Sequence, residues 1–105
     1  GGYFMAKSRI VCDKTELVVT ATINNQKENL NIPAEKIRRI QFDKCQEKIS
    51  LFKKGDSEKI TIETASIAEP ITFYKMKEKE HFESYKEQLE KFAKENRISF
   101  VDNTK

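Results

Sequence analysis

A mainly β domain, α+β by element count and closed by one amphipathic C-terminal helix, is what this sequence predicts, and three observations carry that prediction. Apolar residues recur at every second position from Ser8 to about Pro70. The period then changes, and Phe82, Tyr85, Leu89 and Phe92 recur at helical intervals. At 105 residues, 37% hydrophobic and 35% charged, the chain has material for one modest core under a heavily charged surface.

The elements follow in order. Ile10 and Cys12 alternate with Arg9 and Val11 in a short first strand, and Asp13-Lys14 makes a turn. Leu17, Val19, Ala21 and Ile23 alternate with Val18, Thr20 and Thr22 in a long second strand, rich in the β-branched side chains that suit a pleated surface. Asn24-Asn25-Gln26 reads as a turn, since Asn tolerates the left-handed backbone of tight hairpins. Leu30 and Ile32 make a third strand ended by Pro33, which has no N–H for a ladder. A tight turn at Pro33-Ala34-Glu35 leads into a fourth strand over Lys36–Asp43, although Ile37 and Ile40 also have helical spacing. Ile49 and Leu51 form a fifth strand, Lys54-Gly55-Asp56-Ser57 a hairpin loop, and Ile60 with Ile62 a sixth strand. After a loop from Ala65 to Glu69, Pro70 opens a seventh strand carrying Ile71 and Phe73.

The helix is expected between Lys77 and Glu95, with Asn96 as its stop. Glu83–Lys86, Glu87–Lys91 and Glu90–Lys94 are spaced to support it by about 0.3 kcal/mol each. Ile98, Phe100 and Val101 are apolar enough for a last short strand or an anchored tail. Residues 8–96 are thus expected to form the domain. Residues 1–7 are read as an N-terminal arm opening on a cloning remnant, and 97–105 as the tail.

Composition excludes several function classes. The net charge is +3, from 20 basic and 17 acidic residues with the signs interspersed, whereas nucleic-acid binders concentrate Lys and Arg to neutralise phosphates. No apolar run approaches the ~20 residues that span a bilayer, and no signal peptide is visible, so a cytoplasmic location is expected. Two cysteines and one histidine are too few for a zinc site, and no cofactor is expected. Cys12 shares the face of Ile10 and reads as a small buried hydrophobe, and a disulfide to Cys45 is disfavoured in a reducing compartment. His81, with Glu78, Glu80 and Glu83 around it, reads as a solvated surface residue rather than an acid–base catalyst. Three glycines cannot build a phosphate-cradling loop, and no Gly-x-Ser-x-Gly elbow exists. An enzyme is not expected.

Short strands followed by one C-terminal amphipathic helix, together with the stretch Ile32-Pro33-Ala34-Glu35-Lys36-Ile37-Arg38-Arg39-Ile40-Gln41-Phe42, resemble bacterial pleckstrin-homology-like (PH-like or GRAM-like) domains over about residues 8–96. The resemblance implies a split barrel of about seven antiparallel strands with the helix plugging one open end. In eukaryotic members that bind phosphoinositides, Lys and Arg of the first hairpin hold the phosphates. Here that hairpin supplies only Lys7, Arg9 and Lys14, with Asp13 and Glu16 intruding. Trp, frequent in the helix of those members, is absent, and Phe82, Tyr85 or Phe92 would take its packing role. The resemblance therefore implies the fold more strongly than lipid binding.

Two features remain as candidate sites. Arg38, Arg39, Lys44, Lys48, Lys53, Lys54 and Lys59 fall within 22 residues on adjacent hairpins, a patch able to attract anionic headgroups at about 1 kcal/mol per cation. The plainer reading is of solvent-facing lysines that keep strand edges from pairing, since Glu47, Asp56 and Glu58 are mixed in. The apolar ends, Tyr3-Phe4-Met5 and Ile98, Phe100 and Val101, are candidates for strand addition to a partner protein or a second copy. The function expected is a non-catalytic scaffold for protein–protein or self association, with peripheral binding to anionic lipid as the alternative.

Overall fold

Period-two patterning in the first half of the chain does produce strands, and the switch near residue 80 produces one helix. The computed structural model describes residues 10–23 and 26–105. Its elements are β1 (Ile10–Cys12), β2 (Glu16–Ile23), β3 (Gln26–Pro33), a 3-10 turn (Ala34–Lys36), β4 (Ile37–Ser50), β5 (Lys53–Thr64), β6 (Ile71–Tyr74), α1 (Phe82–Glu95) and β7 (Ser99–Asp102). They form a three-stranded sheet in the order β1-β2-β3 and a four-stranded sheet in the order β6-β5-β4-β7.

The mainly β architecture of two sheets and one C-terminal helix matches the expectation, and the sheets do not form a closed barrel. Two details correct the expectation. The strands are not all antiparallel, because β7 runs parallel to β4, pairing Arg39 with Ser99 through Phe42 with Asp102. The expected fourth and fifth strands are one strand of 14 residues, and the expected hairpin loop Lys54-Gly55-Asp56-Ser57 lies inside β5. The Asn24-Asn25 turn and the arm with Tyr3-Phe4-Met5 lie outside the described residues.

Alternation places Ile10, Leu17, Val19 and Ile32 of the first sheet in one core with Ile37, Ile40, Phe42, Ile60, Ile62 and Phe73 of the second. The helix brings Phe82, Tyr85, Leu89, Phe92 and Ala93, the stripe read from the spacing, and lies against β1, β4 and β7. Full burial of such side chains contributes about 1.5–3 kcal/mol each. The helix begins later than Lys77, with His81 as its N-cap and Asn96 as its C-cap. Its charged residues reach outward to the sheets and tail: Lys86 pairs with Glu58 at 2.8 Å, Glu83 with Lys75 at 3.6 Å and Glu90 with Lys105 at 3.7 Å.

The helix ends on a Schellman motif. The Ile98 N–H donates to the Ala93 carbonyl at 2.9 Å, and Arg97 between them takes a left-handed φ of 55°. Asn96 Nδ2 also donates to the Lys14 carbonyl at 3.0 Å, tying the helix end to the β1–β2 turn. This reversal aims Ile98 back at the core and delivers β7 to the β4 edge, where Phe100 meets Phe42 edge-on with ring centroids 5.0 Å apart. The residues read as a tail, Ile98, Phe100 and Val101, are therefore occupied within the domain.

Candidate functional site

One part of the molecule outgrows the rest. β6 pairs with β5 only from Lys59 to Ile62, and β7 with β4 only from Arg39 to Phe42. Past that point β4 and β5 continue as a two-stranded ribbon, in register from Lys44↔Glu58 to Ser50↔Lys53. At 3.3 Å per residue this ribbon reaches about 20 Å beyond its neighbours. The reason for the core's end is visible in the register. The face that carries Ile40, Phe42, Ile60 and Ile62 continues as Lys44, Gln46 and Lys48 opposite Glu58, Asp56 and Lys54, all polar.

A bare two-stranded ribbon is marginal in water, and this one is braced on its other face. The Glu47 carboxylate accepts from the Ser57 hydroxyl and, at 3.0 Å, from the Met76 N–H. Ile49 and Met76 lie over Gly55, where an added Cβ would meet Met76 Cε at 3.2 Å and Ile49 Cδ1 closer still. Gly55 is thus a seat for two apolar side chains rather than the apex of a turn.

The apex is Leu51-Phe52. Neither residue has a positive φ, so this is not the primed turn that matches strand twist, and a bulge between Lys48 and Ser50 takes up the mismatch. Leu51 is 80% and Phe52 99% exposed, with Ile49 at 55%. Leu and Phe have no conformational advantage in a hairpin turn. Placed there largely exposed, they forgo most of what burial elsewhere would give.

The seven basic candidates divide into two groups. Arg39 is in register with Glu63, and its Nε and Nη2 both lie 2.9 Å from the same carboxylate oxygen. Arg38 lines a shallow depression with Glu63, Thr64 and Pro70. Lys44 stands opposite Glu58, and Lys59 opposite Asp43. Arg38, Arg39 and Lys59 sit on the sheet body and Lys44 at the base of the ribbon, all four near carboxylates. Lys48, Lys53 and Lys54 sit at the apex, and among the described residues none of them forms a salt bridge. Lys48 is paired directly with Lys54, a like-charge pair that disfavours the ribbon itself. The sequence reading found these lysines and missed the apolar apex between them. A signal was present: Ile49, Leu51 and Phe52 put three apolar residues in four positions, bracketed by Lys48 and Lys53-Lys54.

Other chemistry is sparse. His81 is half-buried rather than fully solvated, its ring stacked on Tyr85 at 5.9 Å. Cys12 and Cys45 are free thiols, and burial pushes the Cys12 pKa up to about 11. Burial, then the nearby Glu47 charge, raises that of Cys45. A depression of about 400 Å³ at the ribbon base is lined by Lys44, Cys45, Asp56, Ser57, Glu58 and Lys75, cations and carboxylates in near balance. Among the described residues, no group of three or more His, Cys, Asp or Glu is placed to hold a metal ion, and no helix is long and apolar enough to cross a membrane.

Compared with known proteins, the chain matches no family model, no curated protein and no solved structure.

Proposed function

We propose that this chain is a non-catalytic docking module of PH-like type, whose working element is the β4–β5 ribbon and whose acceptor takes up an apolar point ringed by positive charge. The strand order followed by a single C-terminal helix supports the PH-like part of this reading. The single observation that carries the docking part is Phe52, 99% exposed at the end of a braced ribbon that no other strand covers. Local conflicts of this sort, apolar residues at a turn and lysine facing lysine, persist in natural sequences where function requires them.

Tail-mediated strand addition has less support, because Ile98 and Phe100 pack on the core and β7 occupies the β4 edge.

The reading is tested by replacing the apex with turn residues, Leu51→Asn with Phe52→Gly. If the apex serves docking alone, the melting temperature of this variant equals or exceeds that of the parent, since the two side chains are largely exposed and Asn-Gly suits a two-residue turn. A drop equivalent to more than about 1 kcal/mol makes the apex part of the fold, and the docking reading is lost.

A further inference from the structure

Resting on the reading of the ribbon as a docking element, we infer that its acceptor is an anionic lipid bilayer, entered by Ile49, Leu51 and Phe52 to a depth marked by the Lys48–Lys54 pair. Three features of the apex lead there. The first is shape. The apolar residues form a point at the end of a ribbon, not a flat face or the lining of a groove. A point finds apolar surroundings on all sides in a medium that yields around it, such as the headgroup–acyl boundary.

The second is spacing. From Phe52 back to the Lys48–Lys54 pair is two residues along β5, about 7 Å at strand rise. Interfacial elements bury their apolar part by about 5–10 Å, with long cationic side chains lying along the boundary and their ammonium groups among the headgroups. Water is still present at that depth, so the unpaired backbone groups along the ribbon edges remain hydrated there, as they would not in the hydrocarbon centre.

The third is charge. Lys48, Lys53 and Lys54 stand without salt bridges among the described residues, and the next pair back, Glu47↔Gly55, introduces a carboxylate, followed by Asp56 opposite Gln46. Attraction ends and repulsion begins at that level, which fixes how far the ribbon enters. The site differs from the first hairpin, the phosphate cradle of the family this chain resembles. It also excludes Arg39, Lys44 and Lys59 of the basic patch, each set opposite a carboxylate.

The test is sedimentation of the full chain with phosphatidylcholine vesicles, with and without about one-third phosphatidylserine, at low and high salt. The chain pellets with the anionic vesicles at low salt and is released by high salt. Phe52→Asp lowers the partition coefficient at least tenfold, on the order of the loss of one inserted aromatic ring. Replacing Lys48, Lys53 and Lys54 together by Gln lowers it about a hundredfold, near fivefold for each cation. Replacing Arg39 by Gln leaves it nearly unchanged. Phe52→Trp gives an emission that shifts to the blue on anionic vesicles. Absence of pelleting, or binding that survives Phe52→Asp, overturns the inference. So does a lipid-free dimer abolished by Phe52→Asp, which assigns the apex to a second copy. If the Leu51→Asn, Phe52→Gly variant is as stable as the parent while the parent ignores vesicles, the bilayer is excluded and the docking element stands. If that variant unfolds, both fail together.

Discussion

Arg97 holds a left-handed backbone, φ 55°, so that Ile98 can turn back onto the helix it has just left. A side chain at this position costs free energy that glycine does not. Arg97→Gly is therefore expected to stabilise the domain by about 0.5–1 kcal/mol, measured by urea unfolding. An unchanged or lower midpoint would mean that the Arg97 side chain contributes more than its backbone costs. Gly55 presents the opposite case. Its backbone is ordinary extended strand, and its small size is needed only because Ile49 and Met76 occupy the space above it. From the sequence, Lys54-Gly55-Asp56-Ser57 has the composition of a loop, and only the neighbours above Gly55 explain why it is not one.

Among the elements, β7 and the β4–β5 ribbon show how unequal two apolar segments of similar composition can be. Phe100, half-buried, packs edge-on against Phe42 in a parallel pair that also holds the tail through Asn103. Phe100→Ala is expected to cost about 2–3 kcal/mol in chemical denaturation, below the range for fully buried Phe. The same truncation at Phe52 should fall within about 0.5 kcal/mol of zero, as for other surface sites. If the two costs proved equal, the contrast between packed strand and exposed apex would be wrong. The helix was legible residue by residue, because Phe82, Tyr85, Leu89 and Phe92 repeat over three turns and nothing local opposes them. Most strands were legible too, from Leu17, Val19, Ile32, Ile60, Ile62 and Phe73. The ribbon was not. Beyond Phe42 its faces no longer separate apolar from polar, so period-two reading loses its signal just where the strand continues. Alternation also says nothing about direction, and the parallel placing of β7 depends on the turn at Arg97.

At the scale of the whole molecule, stability should have both an acid and an alkaline limit. The Asn103 amide, 2.8 Å from Asp43, holds that carboxyl below its usual range despite some burial, with Gln41 and the charges of Lys59 and Arg39 adding to it. Burial works against ionised Asp102, but the Thr104 hydroxyl and N–H, with Lys86 and Lys105, outweigh it and lower its pKa as well. Both groups take up protons more readily when the chain is unfolded. Their contribution is therefore present above about pH 4 and is lost as pH falls through the lower folded values. At the other end, burial disfavours the charge on Lys86, yet the Glu58 hydrogen bond and charge, followed by Glu83 and Asp102, raise its pKa above 10.5. Cys12 moves the same way, up to about 11 through burial. Unfolding releases protons from both, so stability declines as pH rises above about 9 and continues to fall through the folded values. Urea midpoints from pH 3 to 11 should trace a dome. In Asp102→Asn the plateau should be lower and the acid limb shallower, and an unaltered acid limb would remove Asp102 from this account.

The parallel pairing of β7 with β4 also bears on the order in which the fold completes. The Asn103–Asp43 contact closes a separation of 60 positions that spans the ribbon and the helix. Long-range closures of this kind come slowly. Until then the backbone groups of Arg39 to Phe42 stand open as a template, and the sticky interval of this protein's folding is the wait for its last strand.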